Sequence, residues 1–546
     1  MGIPELPVPD GLVLRPFRGV RFAVEDPAKV TSPPYDLISD ADVDTLLGSH
    51  PNNVVRLILP CSPRTQPSAT PYPDARTPPD LTTHESTRTQ PTATTEPTAH
   101  AAPQAQPETP FPPIEAPLEA RYASARDTLR AWLDSGVLVP DDVPALYVYE
   151  QSGPDVLQRG LIGDVGLADP GQRIILPHED VLPGPIADRL ALMSTTEANL
   201  EPIFLLYDGA NGTATHLVDE VAVKRRPLVS AHTEDGLTHR LWAITDTTEI
   251  AAINADLHHR QALIADGHHR YATYRVLQRQ EHATHRALQD QPPAPTSTTS
   301  DARPPSTASD TQPPLTASGT RRQQPADAAQ RAQPSADTAS ERSDLGGRPV
   351  PEAVEPAVGP WDFGLALLVD SAAYPPDLQA IHRVIPGLPL AEATARARGS
   401  WRVRDYDDLA QGLAALEEAV EPSFLLAGED GTHLLTDPDP VQLARAMPAD
   451  HSDRWNSLNT SVLTEFVLPK VWGMRDDDQT VRIVHHNAEA AVKLALRTGG
   501  TAVILKPLAV DDVLAIAAGG ERVPRKSTSF GPKPRTGLVL RTFAID

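Results

Sequence analysis

The segment Asp266-Gly-His-His-Arg270 places a carboxylate, two imidazoles and a guanidinium at the expected start of a helix. The apolar residues 262–265 before it predict a buried strand, and a helical pattern follows it. His268, His269 and Arg270 are potentially cationic, yet a helix N-terminus already carries about half a positive charge. An anion would relieve this conflict, and a strand, a glycine turn and free helix N–H groups can hold phosphate. The segment therefore predicts a site for an anionic, phosphorylated ligand.

The side chains of this segment have more than one possible role. Asp266 is predicted to cap the helix, or to act as a general base or metal-bridging carboxylate, and these roles are compatible. Neighbouring helical residues point about 100° apart, so one of His268 and His269 should meet the anion while the other packs locally. Arg270 could bind phosphate through two hydrogen bonds or remain a solvated charge. Gly267 provides the turn.

The second chemically informative segment runs from Pro177 to Arg189. His178 and Glu179 lie between a strand-like run and a Pro-Gly turn, a position suited to a site loop. Glu179 could pair with a histidine, bind Mg²⁺ or form a structural ion pair. Arg189 falls in the helix that is predicted to follow.

The third segment, 523–533, concentrates basic and hydroxyl side chains in an otherwise acidic chain. Lys526, Ser527, Thr528 and Lys533 are predicted to bind phosphate, although no glycine-rich phosphate loop precedes them. The alternative is a solvated basic loop.

Two shorter segments complete the candidates. Pro33-Pro34 forces an extended chain that presents Tyr35 and Asp36 rigidly, at a site or in a structural turn. His382 and Arg383 follow a strand-like region and carry a weaker signal.

Composition limits the classes of function. The chain has 546 residues, 58 of them proline, and a formal net charge of -24. This charge argues against general nucleic-acid binding, which needs a basic face. The only cysteine, Cys61, excludes an intramolecular disulfide and a cysteine-based zinc site. With no apolar run near ~20 residues and no secretory signal at the N-terminus, we expect a cytoplasmic protein without a membrane span.

The order of strand and helix patterns predicts an α/β or α+β fold, with mixed sheets and interspersed helices. Residues 61–117 and 289–360 are rich in proline and small or polar residues and are predicted to be disordered inserts. An N-terminal part would then comprise 1–60 and 118–288, and a C-terminal part 361–546. Among the shorter predictions, 54–59 and 502–505 are strands and 118–133 and 510–518 are helices.

Together, these segments resemble the bacterial and archaeal family known as domain of unknown function 1015. The matching motifs occur in one order and skip both inserts. This chain departs from the family at Val523, where methionine is usual, and at Gly531, where an aromatic residue is usual. The motifs are Ser32–Ile38, Pro177–Leu192, Ile264–Tyr271, His382-Arg383 and Lys526–Lys533.

The family name implies no activity, but Asp266–Tyr271 is also similar to a turn of the ParB/sulfiredoxin-like fold. That resemblance implies nucleotide phosphate binding, and some members of that fold phosphorylate free serine. The resulting hypothesis is a phosphotransferase that uses ATP or ADP with Mg²⁺ and acts on a small polar metabolite. Asp266, Glu179 and His268 would be catalytic, and Gly267, His269, Arg270, Arg189 and Lys526 would contact phosphate.

Two alternatives stay open. The first is a non-catalytic sensor of a phosphorylated metabolite or nucleotide, and the second, which the net charge disfavours, is a ParB-like nucleic-acid protein. The enzyme hypothesis requires the motifs to converge in one pocket. The oligomeric state is left open.

Overall fold

The computed structural model describes residues 9–60, 118–289, 358–429, 431–477 and 479–545. The fold is mixed α/β, as predicted. Apart from residues 289 and 358–360, the two expected inserts lie outside the described residues. Within the described ranges, no helix is both long and apolar enough to cross a membrane.

The strands of the described residues form two large sheets and three small ones. They are β1 (Leu14–Arg15), β2 (Val20–Phe22), β3 (Leu138–Pro140), β4 (Leu146–Ser152), β5 (Leu157–Gly166), β6 (Ile175–Leu176), β7 (Ala198–Asn199), β8 (Ile203–Tyr207), β9 (Val229–His232), β10 (Thr238–Ile244), β11 (Ala262–Asp266), β12 (Phe363–Asp370), β13 (Asp377–Gln379), β14 (Ile381–Ile385), β15 (Arg402–Tyr406), β16 (Phe424–Gly428), β17 (Gly431–Thr436), β18 (Arg482–His485), β19 (Thr501–Ile504), β20 (Ser529–Gly531) and β21 (Arg541–Thr542).

The helices cover the faces of these sheets. They are α1 (Asp40–Ser49), α2 (Val55–Ile58), α3 (Leu118–Asp134), α4 (Pro183–Thr196), α5 (Thr213–Lys224), α6 (Thr247–Leu257), α7 (His268–Gln289), α8 (Leu390–Ala397), α9 (Leu409–Glu418), α10 (Pro440–Ala446), α11 (Asp453–Ser457), α12 (Asn459–Val462), the π-helix Leu463–Trp472, α13 (Ala488–Thr498) and α14 (Val510–Gly519).

The first large sheet has the order β6-β11-β8-β12-β5-β4-β10-β9, and β1 joins it through β5. β12 pairs parallel to β8 and antiparallel to β5, so a strand that follows the second insert lies in the middle of this sheet. Its strands β8, β11 and β12 are buried almost throughout, which explains their continuous apolar runs. The sheet therefore crosses the boundary predicted at residue 361.

The second large sheet, β15-β17-β16-β19-β14-β18, is antiparallel and belongs to the C-terminal part. Its core includes Phe424 and Leu426, which pack with Phe466 and Trp472 of the π-helix. Between the two large sheets, β20 pairs with β13 and carries the basic segment toward the end of β11.

The prediction of a strand over 54–59 was wrong, because Val55–Ile58 forms the short helix α2. The side chain of Asn53 accepts a hydrogen bond from Val55 N (3.0 Å) and starts the turn. Val55, Leu57 and Ile58 are all buried. A short, continuously buried apolar run has no period that separates a strand from a helix.

The chain's C-terminal segment is anchored in the N-terminal half by Arg541, which is fully buried. Its Nε lies 2.6 Å from Asp164 Oδ2, and its other nitrogens donate to Asn199 Oδ1 (3.0 Å) and Pro360 O (2.8 Å). Arg541→Met should lower the free energy of unfolding by about 3–5 kcal/mol, because the buried Asp164 loses a charge partner. Urea denaturation measures the loss. Arg398→Met, which removes an exposed ion pair with Asp405, should cost under about 1 kcal/mol. Equal losses would contradict the anchoring role.

Candidate active site

The end of β11 and the start of α7 form the centre of the candidate site. The register of β11 on β8 shifts between Ile264 and Asp266, an irregularity that redirects the last side chain of the strand. Gly267 then adopts φ +92°, and a Cβ added there would lie 2.9 Å from Ile203 Cγ2. The turn therefore requires glycine. In α7, the first backbone N–H that donates a helical hydrogen bond is that of Tyr271, and it donates to Gly267 O.

Asp266 is the hub of an ion-pair network drawn from three segments. Its Oδ1 lies 2.6 Å from Lys533 Nζ, and its Oδ2 lies 2.5 Å from Arg270 Nη2. Lys533 also pairs with Asp36. Burial alone would raise the pKa of Asp266, but Lys533 and Arg270 outweigh it and hold this pKa below its ordinary value. Asp266 thus uses both oxygens on side chains, and no capping bond to α7 is found among the described residues.

The two histidines of the motif both accept hydrogen bonds from backbone N–H groups. His268 Nε2 accepts from His178 N (3.3 Å), and His269 Nε2 accepts from Leu182 N (3.0 Å). Burial, with His269 beside it, lowers the pKa of His268 to about 3. Burial and the charge of Lys526 lower the pKa of His269 as well. Both rings are therefore neutral at neutral pH, which reduces the charge conflict at the helix start.

A second network joins Glu179, Thr528 and His178. Glu179 Oε1 accepts from Thr528 Oγ1 (2.7 Å) and from Thr528 N (3.3 Å). His178 Nε2 lies 2.8 Å from the same Thr528 oxygen, and its ring packs edge-on against that of His268 at 4.5 Å. Burial raises the pKa of Glu179, and Thr528 and Lys526 offset part of the rise. The pKa values of Asp266 and Glu179 are therefore shifted in opposite directions.

Lys526 is the cation left open in this cluster. It is exposed, and its ammonium group has no ion-pair partner among the described residues. Its backbone has φ +59°, which a non-glycine residue seldom adopts. Arg383 stabilises this turn by donating to Lys526 O (2.9 Å) and Arg525 O (3.3 Å). The buried Ser527 hydroxyl donates to Pro524 O (2.5 Å), so it serves the loop itself.

Tyr35 connects Arg189 to the rest of the cluster. The guanidinium of Arg189 lies 4.5 Å from the Tyr35 ring centroid, and that of Arg270 lies 5.8 Å from it. Arg189 itself bonds Asp188 and donates to Ile58 O (2.9 Å). A cavity of about 750 Å³ opens beside Tyr35 and Arg189. Arg189 therefore borders this cavity without direct contact to Asp266.

His382 stands apart from the other candidates. It is buried in β14, its Nδ1 accepts from Leu505 N (3.3 Å), and burial lowers its pKa to about 4. These contacts give it a place in the second sheet, whereas its neighbour Arg383 reaches the basic loop.

Two residues of the cluster were missed by the sequence reasoning. Glu201 Oε1 accepts from Tyr35 N (3.0 Å) and Thr536 Oγ1 (3.1 Å), and Arg270 and Arg189 lie near enough to lower the pKa that burial raises. His485 ends β18, and partial desolvation together with Lys526, His486 and Lys533 lowers its pKa to about 4. The His485-His486 pair was a visible signal, but the strand that positions it was not predicted.

The described residues form no ready-made protein cage for the expected Mg²⁺. In the part of the chain that the structure describes, no group of three or more His, Cys, Asp or Glu side chains is arranged to hold a metal ion. The oxygens of Asp266 are occupied by Lys533 and Arg270. The magnesium prediction stays a prediction.

Comparisons with known proteins bear on the family. Residues 14–78 and 105–297 match the model of a protein family of unknown function, DUF1015. No curated protein matches the chain.

Three solved structures are similar to parts of the chain. A free serine kinase in complex with AMP is 10% identical, with 71% of this chain and 93% of that chain covered at a TM-score of 0.30. A conserved hypothetical protein from Pyrococcus furiosus is 10% identical, with 68% and 90% covered at 0.28. SbnI with C-terminal truncation from Staphylococcus aureus is 10% identical, with 70% and 88% covered at 0.30. At such TM-scores the similarity gives no information about the site.

Proposed function

Because this chain belongs to the DUF1015 family, whose function is unknown, we propose a function from its own site. The protein is an enzyme that transfers a phosphoryl group from a nucleotide, ATP or ADP, to the hydroxyl of a small polar metabolite. Free serine is the first acceptor to test.

This proposal rests on two carboxylates, Asp266 and Glu179, whose pKa values are shifted in opposite directions. Both lie beside the exposed Lys526. Asp266 is kept ionised by Lys533 and Arg270, and Glu179 has a raised pKa and a hydrogen bond to Thr528. Two such carboxylates, with pKa values pushed apart, are the arrangement by which one site can hold a charge and move a proton.

The roles follow from these contacts. Glu179 takes the proton of the acceptor hydroxyl, since a base with a raised pKa accepts a proton more readily near neutral pH. Lys526 and the free N–H groups at the start of α7 bind the phosphate oxygens. Asp266 keeps Lys533 and Arg270 in place beside them. His268 is neutral and holds the His178 backbone, so its proposed part is structural support of the base.

The proposal is tested by nucleotide calorimetry followed by product analysis with serine and a panel of hydroxyl metabolites. Lys526→Met should weaken nucleotide binding about tenfold or more, because a charge-assisted contact to phosphate is lost. Methionine and lysine tolerate φ +59° equally poorly, so the comparison isolates the charge. Lys493→Met, on the exposed face of α13, should bind nucleotide like the wild type.

The outcomes separate the two leading functions. Binding with phosphorylation of a metabolite supports the enzyme. Binding without any turnover favours the sensor of a phosphorylated ligand, a function compatible with the closed Asp36–Lys533–Asp266 network. Failure to bind any nucleotide would reject the nucleotide-dependent form of both.

A further inference from the structure

Glu179 is held at only one of its two oxygens. Oε1 receives both hydrogen bonds from Thr528, through Oγ1 at 2.7 Å and the backbone N at 3.3 Å. Oε2 has no hydrogen-bond partner among the described residues, and Glu179 is only partly buried. The carboxylate therefore presents one occupied and one available oxygen.

With Glu179 ionised, the direction of these hydrogen bonds places the proton of His178. The Thr528 hydroxyl has one proton, and an ionised carboxylate can only accept, so that proton points to Glu179 Oε1. His178 Nε2, 2.8 Å from Thr528 Oγ1, must then be the donor. The His178 ring is fully buried, and its Nδ1 makes no hydrogen bond of normal geometry within the described residues, although the Ile264 carbonyl lies beside the ring. A neutral ring with its proton on Nε2 satisfies both conditions.

From this geometry we infer that Thr528 and His178 are positioning residues that orient Glu179, so that its Oε2 is the atom that takes the acceptor proton. This inference rests on the proposed function. In the step, the hydroxyl proton passes to Oε2 as the acceptor oxygen bonds to the terminal phosphorus. The bond between that phosphorus and the bridging oxygen breaks, and the shortened nucleotide leaves with the electron pair.

A second arrangement of the protons applies when Glu179 is protonated. The carbonyl of Ile264 lies beside the His178 ring. If His178 carried its proton on Nδ1 toward that carbonyl, Thr528 would donate to His178, and only a protonated Glu179 could complete the chain. The charged groups that act on Glu179 are Lys526 from the loop, Asp266 from β11 and Arg383 from β14.

The kinetic test compares Thr528→Val with Thr528→Ser. Valine keeps the volume but removes the hydroxyl, so kcat should fall about 10- to 100-fold while the nucleotide KM changes less than about twofold. Serine should restore kcat to within about threefold, because it supplies the same donor. Thr284→Val, on the exposed face of α7, is the matched control and should behave like the wild type. Equal kcat for the wild type and Thr528→Val would overturn the inference.

Nuclear magnetic resonance on the resting protein separates this inference from the proposed function. The ¹⁵N shifts of His178 should show a neutral ring protonated at Nε2, and a ring protonated at Nδ1 would overturn the inference. In Thr528→Val the carboxyl ¹³C signal of Glu179 should titrate at a higher pH, since a hydrogen bond to the ionised form is lost. If no metabolite is phosphorylated by the wild type, the proposed function fails, while these two signals still decide whether Thr528 and His178 orient Glu179.

Discussion

Acidification from pH 7.5 to pH 5 should destabilise the folded chain by several kcal/mol, because several histidines are buried in the neutral form. Burial lowers the pKa of His239 and His382 to about 4 and that of His268 to about 3. In the unfolded chain these rings bind protons below about pH 6.5. The unfolded state then binds more protons than the folded state, so stability falls as the pH falls.

The size of this effect follows from the number of rings. Each contributes up to about 1.4 kcal/mol per pH unit below pH 6.5, so these three give about 4 kcal/mol per unit before any offset, and His178, whose pKa burial also lowers, adds to this. Glu179 and Glu201 act in the opposite direction, since burial raises their pKa and the folded state takes up their protons first. A net slope of about 2–4 kcal/mol per unit is expected below pH 6.

Urea denaturation at pH 7.5, 6.5, 5.5 and 5.0 measures this slope. His239→Gln should flatten it by one ring's share, because glutamine can keep a hydrogen bond to Tyr149 or Thr233 without titrating. His216→Gln, on the exposed face of α5, should leave the slope unchanged. A midpoint that stays constant down to pH 5 would show that these histidines are not held neutral.

The strand, turn and helix around Asp266 were predictable because their signals are local. An apolar run, an Asp-Gly break and a helical pattern lie within one stretch of chain, and β11, Gly267 and α7 follow them. The charge states of the same segment were not predictable. Two of the three expected cations are neutral, and Arg270 is compensated by Asp266 four residues earlier. Burial decides these states, and burial is a property of the fold.

The partners of the motif depend on contacts across the whole chain. Lys533 bonds Asp36, 497 residues away, and Thr528 bonds Glu179, 349 residues away. No periodicity encodes such pairs, because they arise where the basic loop beside β20 meets the end of β11. The place of β12 within the first sheet and the anchoring of Arg541 were hidden for the same reason. Motifs thus indicated which residues matter, and only the fold indicated what each contacts.

Replacing Glu179 with glutamine should have the largest effect on the proposed reaction. Glutamine keeps the size and can still accept from Thr528, but it cannot take a proton, so kcat should fall about 10²- to 10⁴-fold. Nucleotide affinity should change little, because the proposed phosphate contacts come from Lys526 and α7. Glu418→Gln, at the exposed end of α9, is the matched control and should retain wild-type kcat.

The pH dependence gives a second, independent sign for the role of Glu179. As the base, it must be ionised, so activity should fall as the pH drops through its pKa, which burial places above the ordinary carboxylate value. The acid limb of kcat/KM should therefore begin at a higher pH than an exposed glutamate would give, and Glu179→Gln should abolish that limb in the residual activity. Because the buried histidines also reduce stability as the pH falls, rates must be measured before unfolding and normalised to folded protein. A glutamine variant with wild-type kcat and an unchanged acid limb would remove Glu179 from the chemistry and leave the site a binding pocket.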